Sequence, residues 1–146
     1  MIYLKWIAAG AAALGGYLLG SVSFSRIVAR AVSPEKKLRP FEYRIPGSDE
    51  LFTSDTVSAT AVRAQLGPRY GCITSLLDMA KVAVPALLLR LLLPGTPCFA
   101  VAAAAGVIGH NWPLWHRFKG GRGASPIMGG LLVVDPLGLP AVILGG

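Results

Sequence analysis

The ten residues HRFKGGRGAS, His116 to Ser125, set His116, Arg117, Lys119 and Arg122 among Gly120, Gly121 and Gly123. Side chains of this kind bind anions. Lysine supplies a compact point charge and arginine a planar fork of donors. Glycine lets the backbone turn tightly and aim successive N–H groups at one point, an anion nest. If Ala124 begins a helix, its N-terminus adds partial positive charge. Phosphate suits such a loop. The same composition also makes a positive anchor loop at a membrane edge, and residue types alone leave the two readings level.

Other residues could do related chemistry. In RIPGSD, Arg44 and Ser48 pair a guanidinium fork with a hydroxyl beside Gly47; a lone loop arginine is otherwise simply solvated. Asp78 and Lys81 stand three apart, so on a helix they share a face. Within a membrane such a pair either neutralises itself or walls a polar site. His110 and Asn111 are read first as caps at a helix end and second as substrate contacts, and His116 has the weaker claim of the two histidines. Trp112 and Trp115 fit an interfacial aromatic belt. No G-x-S-x-G elbow and no zinc spacing occur, and FKGGRG lacks the spacing of a Walker loop. Cys72 and Cys98 sit alone in apolar runs and read as small apolar side chains.

The elements that must position these groups are apolar. Hydrophobic residues make up 53% of the 146 positions and charged residues 14%, against roughly 25% charged in soluble domains. A chain this short cannot hide so much apolar surface in one core. The expected fold class is therefore all-α, a polytopic transmembrane helical protein. Segment one is expected as a single helix over about 2–31, retained rather than cleaved as a signal, with Gly10, Gly15, Gly16 and Gly20 allowing close helix contact. A polar stretch broken by Pro34, Pro40 and Pro46 follows, then a short helix over 56–66. Segment two covers 72–93, a PGTP turn follows at 94–97, and segment three covers 98–109. Residues 124–134 are apolar, Asp135-Pro136 breaks the run, and 137–146 is apolar again. Either 124–146 is one kinked helix with Asp135 near its middle or a new helix begins at Leu137. The second is expected, which makes the chain a C-terminally incomplete single domain over 1–146.

Net charge is +7 with histidine neutral. Its distribution in short loops between apolar segments excludes nucleic acid and leaves anionic lipid or phosphorylated substrates as partners. Arg26, Arg30, Lys36, Lys37, Arg39, Arg44, Arg63 and Arg69 lie between segments one and two, and Arg117, Lys119 and Arg122 follow segment three. With segments two and three as a hairpin, both basic loops share one side. The positive-inside rule makes that side cytoplasmic and the N-terminus external.

Together the motifs resemble the bacterial membrane glycerol-3-phosphate acyltransferases that use acyl phosphate as donor. LLGSVSFSRIVAR is similar to the family's G-S-x-x-F helix, and EYRIPGS to D-[IL]-R-x-x-G-S with Glu42 for aspartate. SATAVRAQLGPRYG is similar to G-A-T-N-V-x-R-x-L-G-x-x-x-G, and LLDMAKVAVPALL to D-x-x-K-G-x-x-P. GHNWPLWHRFKGGRGAS resembles G-H-x-x-P-x-F-x-x-F-K-G-G-K-G, with Trp115 and Arg122 substituted. The resemblance covers nearly the whole chain. It implies a seven-helix inner-membrane enzyme, of which this is a partial version. The implied reaction transfers an acyl group from acyl phosphate to the 1-hydroxyl of glycerol 3-phosphate and makes lysophosphatidic acid, with no cofactor, metal or acyl-enzyme. It also implies phosphate-binding roles for Arg44, Ser48, Lys119 and Arg122. Supporting roles fall to Ser21, Ser23, Asp78, Lys81, His110, Asn111, Gly120, Gly121 and Gly123, with Phe24 in the helix wall. No catalytic base is identified, and no protein partner.

Three departures from the pattern stand out. About six extra residues in DELFTSDTVSATA separate Gly47-Ser48 from Ala59-Thr60, bring Asp49, Glu50 and Asp55, and end with Ala61 in place of asparagine. Val82 replaces the glycine after Lys81. The family's later serine- and histidine-bearing motifs have no counterpart within 1–146. Two alternatives accompany the acyltransferase reading: a non-catalytic membrane protein that binds anionic lipid or a phosphorylated ligand, and a divergent acyltransferase with another acceptor.

Overall fold

A computed structural model describes residues 2–35, 38, 41–44, 51–54 and 56–144. The elements are α1 (Ile2–Gly20), α2 (Phe24–Val32), β1 (Phe41–Arg44), β2 (Leu51–Ser54), α3 (Ala59–Leu66), α4 (Pro68–Leu92), α5 (Cys98–Asn111), α6 (Ala124–Val134) and α7 (Gly138–Leu144), with a single 3-10 turn at Leu114–His116.

The first segment is two helices rather than one. Ser21 Oγ turns back to donate to Tyr17 O at 2.8 Å, Val22 N bonds Leu19 O in the tighter i−3 pattern, and Ser23 is extended. Serine hydroxyls compete with the helical ladder in this way. The break leaves the Val22 carbonyl outside both helices, a point on which the site depends.

Turn chemistry sets the next boundaries. Ser58 caps α3 by accepting from Ala61 N at 3.4 Å. Gly67 ends it at φ +101, and Pro68 opens α4 immediately, so α4 starts four residues before the expected Cys72. Proline is favoured there because its missing N–H is one that the first helical turn leaves unpaired. Gly95, also at positive φ, closes the turn into α5.

Helix α5 packs on α1 and α4, and α6 packs on α4 and α5. Of the four glycines in α1, Gly16 faces Ala102 and Gly20 faces Gly106 with no room for a Cβ, whereas Gly10 and Gly15 have no neighbour within 4 Å. A small core of Val82, Ala86, Ala103 and Val133 joins α4, α5 and α6. Val82 meets Gly106 and Gly130, so its extra bulk is absorbed by glycines on both neighbours. Cys98 is buried, as expected, and Cys72 is exposed. Leu76, Leu87, Leu88, Leu91 and Leu92 of α4 face outwards. Among the described residues two stretches, Tyr3–Val32 across the break and Pro68–Leu92, are long and apolar enough to cross a membrane. The molecule is a helical membrane protein.

One expectation is corrected and one choice between alternatives is settled. The polar stretch contains an antiparallel hairpin with Phe41 opposite Ser54 and Arg44 opposite Leu51, because FEYR and LFTS carry the aromatic and β-branched residues that favour strands. The all-α expectation therefore holds for the membrane elements only. Asp135 is exposed and ends α6. Its Oδ1 accepts from the N–H of Gly138, the first residue of α7, at 3.1 Å, so a second helix begins after the break, as expected, and the single kinked helix is ruled out.

Candidate functional site

At the basic end of the bundle, three elements converge on one buried ion cluster. Asp78 and Lys81 share a face of α4, with side chains 1% and 5% exposed, and Lys81 Nζ lies 2.8 Å from Asp78 Oδ1. Oδ1 has no further hydrogen-bond partner among the described residues, so the buried carboxylate depends on this ion pair. Lys81 Nζ also donates to Val22 O at 2.7 Å and lies 3.0 Å from His110 Nδ1. The Phe24 ring covers it at 5.9 Å. Nδ1 of His110 also lies 3.5 Å from Asp78 Oδ1, so the ring nitrogen faces both members of the ion pair. One lysine thereby joins α4, the break between α1 and α2, and the end of α5.

His110 in turn sets the glycine loop. Its backbone carbonyl accepts from Gly121 N at 3.2 Å, and a Cβ on Gly121 would strike its imidazole Nε2. Gly120 lies against the carbonyls of His110 and Asn111, and a Cβ on Gly123 would come 2.7 Å from Asn111 Oδ1. Backbone therefore sits where any larger residue would not fit. Neither His110 nor Asn111 caps α5 with its side chain; the capping expectation gives way to a brace, because both side chains turn towards the loop. Asn111 Oδ1 is buried without a partner among the described residues.

Further ties hold the loop from outside. Ser21 Oγ accepts from Leu114 N at 3.3 Å, Tyr17 donates to Trp112 O at 3.0 Å, and Arg26 Nη2 donates to Lys119 O at 3.0 Å. Ser23 opens α2 with no side-chain cap. The Lys119 side chain is exposed. Gly123, at φ +82, starts α6 with no side-chain cap, which leaves the first-turn N–H groups of Ala124 and Ser125 facing the same region. A glycine backbone, a lysine and a helix N-terminus thus lie together in this stretch of chain, the kinds of group that suit an anion. His116 sits in this loop, and burial first, then Arg26 and Arg30, lower its pKa below the ordinary histidine value.

The other predicted phosphate contacts are placed differently. Arg44 closes β1; Ser48 and the inserted Asp49, Glu50 and Asp55 lie outside the described residues. Arg122 is exposed. Sequence reasoning passed over Arg63. It lines a half-open cleft of about 420 Å³ with Thr60, Cys72 and Ser75, and its Cβ packs where Gly71 lacks one. The RxxxxxxxG spacing across the α3–α4 corner was the available signal. Arg26 was passed over too, because its partner is 93 residues away.

The glycerol-3-phosphate acyltransferase family matches residues 10–145. A glycerol-3-phosphate acyltransferase of Shouchella clausii is 39% identical over 137 residues, 92% of this chain and 60% of its own length. One from Myxococcus xanthus is 36% identical, covering 83% and 57%. The chain is also similar to crystal structures of PlsY, an integral membrane glycerol 3-phosphate acyltransferase, with 28% identity. Its glycerol 3-phosphate form superposes with TM-score 0.75 over 93% of this chain and 62% of that one, and its lysophosphatidic acid form with TM-score 0.72 over 93% and 61%. The chain spans about 60% of the length of these relatives.

Proposed function

The chain belongs to the glycerol-3-phosphate acyltransferase family, and on that premise we propose that its basic end binds acyl phosphate and glycerol 3-phosphate and transfers the acyl group between them. The acceptor 1-hydroxyl attacks the acyl carbonyl carbon, and the bond from that carbon to the phosphate oxygen breaks. The acyl ester and inorganic phosphate leave, the hydroxyl proton ending on phosphate. Acyl phosphate carries its own leaving group, so the protein's task is to hold two anions together and stabilise developing charge. Neither metal nor cofactor takes part in this proposal.

The observation that carries the reading is the immobilised glycine loop. Lys119 projects from a backbone tied to His110 through Gly121 and to Arg26 through its own carbonyl. Lys119 and the α6 N-terminus take one phosphate, with Arg122 beside them. Arg63, Thr60 and Ser75 offer a second anion position in their cleft, and the family pattern adds Arg44 and Ser48 as further phosphate contacts. Asp78, Lys81 and His110 position the loop and do not touch substrate. The protein is a multi-pass membrane protein of the inner membrane. With Arg26, Arg30, Arg63, Arg69, Arg117, Lys119 and Arg122 at one end, that end faces the cytoplasm and the N-terminus faces outwards.

The test is lysophosphatidic acid formation in membranes containing this chain, supplied with acyl phosphate and glycerol 3-phosphate, beside Lys119→Ala. Product that disappears in the variant supports the proposal. Binding of glycerol 3-phosphate without turnover would favour a non-catalytic ligand-binding protein, and product only with another acceptor would favour a changed acceptor pocket.

A further inference from the structure

Beside the glycine loop lies a second basic cluster, of which the transfer reaction uses only the bond from Arg26 to the Lys119 carbonyl. Arg26 and Arg30 are one turn apart on α2, so they share a face. Arg26 Nη2 is taken by the Lys119 carbonyl, while its Nε is buried without a partner among the described residues. The charges of both arginines reach His116 and, after burial, help lower its pKa. Arg117 follows directly in the chain. Among the described residues none of the three arginines is paired with an acid; Asp78, which is paired, lies inside the bundle with Lys81.

The loop beside this cluster is aromatic and strained. Arg117 and Phe118 are consecutive at φ 54 and 60, a region that non-glycine residues enter at a cost. Phe118 N bonds Pro113 O at 3.0 Å and Lys119 N bonds His116 O at 3.1 Å, which hold the turn. The outcome is display: Trp115 is 59% exposed and Phe118 56%, with Arg117 between them also exposed. Tryptophan and cationic side chains at the ends of spanning helices sit at headgroup depth.

We infer that the face formed by Arg26, Arg30 and Arg117 with Trp115 and Phe118 binds the phosphate of an anionic membrane phospholipid. The arginines take the headgroup and the aromatic rings lie at the top of its acyl chains. A free phosphate has no use for exposed aromatic rings, which is why a lipid and not a soluble anion fits this face. Arg26 touches Lys119 through its backbone carbonyl, and the Lys119 ammonium is not among the groups assigned to the lipid.

The test is lipid retention by the full chain, equilibrated in detergent with a mixture of phosphatidylglycerol and phosphatidylcholine and read by native mass spectrometry. The wild type is expected to retain phosphatidylglycerol in preference to phosphatidylcholine. Arg30→Gln is expected to weaken that retention about five-fold, the effect of one interfacial basic residue, and Arg26→Gln with Arg30→Gln to remove the preference. The exposed Arg30 side chain makes no hydrogen bond among the described residues, so its variant keeps the test valid should the double variant fail to fold. Arg69→Gln, an exposed residue at the same end, is expected to change nothing. Equal retention of both lipids, or an Arg69→Gln effect as large as that of Arg30→Gln, would overturn the site. So would displacement of phosphatidylglycerol by inorganic phosphate but not by chloride at equal ionic strength.

Discussion

The Lys81 ammonium lies 3.0 Å from Nδ1 of His110, and this contact connects the membrane interior to the loop that carries Lys119. Lysine has no acceptor and three donors. Here the ammonium pairs with a carboxylate and meets a carbonyl released by a broken helix and an imidazole. The imidazole is thereby held in the orientation against which Gly121 packs.

Removing one member of this cluster leaves the others unsatisfied in a buried place. Lys81→Met is expected to destabilise the protein by about 3–5 kcal/mol, since it strands the Asp78 carboxylate. The double variant with Asp78→Asn is expected to be less damaging than the sum of the two single changes. Thermal unfolding of the four proteins in one detergent checks this cycle; additive effects would show that the pair is not coupled.

Glycine substitutions should separate sharply by position. Gly121→Ala puts a methyl into His110, and it is expected to abolish substrate binding while helix content is kept. Gly20→Ala presses α1 away from α5 and is expected to cost at least about 1–3 kcal/mol through overpacking. Gly10→Ala and Gly15→Ala meet nothing within 4 Å and should be neutral or slightly stabilising, as alanine is the better helix former. Circular dichroism with thermal melts, beside a binding assay, distinguishes the three classes.

The pH dependence of the loop follows from His116. Burial and the nearby arginines lower its folded-state pKa below the ordinary value of 6.5. As pH falls through 6.5 the unfolded chain takes up a proton that the folded loop resists, so stability present above that pH is lost as pH drops towards the folded value. The exposure of this ring keeps the effect small. His116→Asn is expected to flatten that part of the stability–pH curve; an unchanged slope would remove His116 as its source.

Tyr17→Phe deletes the hydroxyl that donates to Trp112 O across 95 residues. A loss of about 0.5–1.5 kcal/mol is expected for one such bond, with the helices intact. Hydrogen exchange at the 112–119 loop should rise more than exchange in α4.

How much was legible depended on whether a feature was local. Gly67-Pro68 and the PGTP turn mark helix boundaries by their own backbone preferences, and α4 and α5 form there. The break at Ser21–Ser23 was hidden, because the apolar run continues past it and three small polar-tolerant residues do not announce a stop. The hairpin was hidden as well: prolines at 34, 40 and 46 dominate the stretch, and two four-residue strands give only two alternations each. Lys119 and its glycines were visible as anion chemistry from residue types alone. Their supports were not. His110 meets Lys81 from 29 residues away and Arg26 meets Lys119 from 93, and no periodicity encodes contacts between separate helices. The roles of Asp78 and Lys81, balanced between neutralising pair and polar wall, became a brace only once Val22 O and His110 were seen on the same ammonium.

The central claim is that the braced loop presents Lys119 to a substrate phosphate. Titration of the purified chain with glycerol 3-phosphate, wild type against Lys119→Ala, tests it most directly. Loss of one charge-assisted bond, about 1.5–3 kcal/mol, predicts saturable binding that weakens about 10- to 100-fold in the variant while the thermal melt is unchanged. Equal affinity in the two proteins would contradict the assignment of this loop.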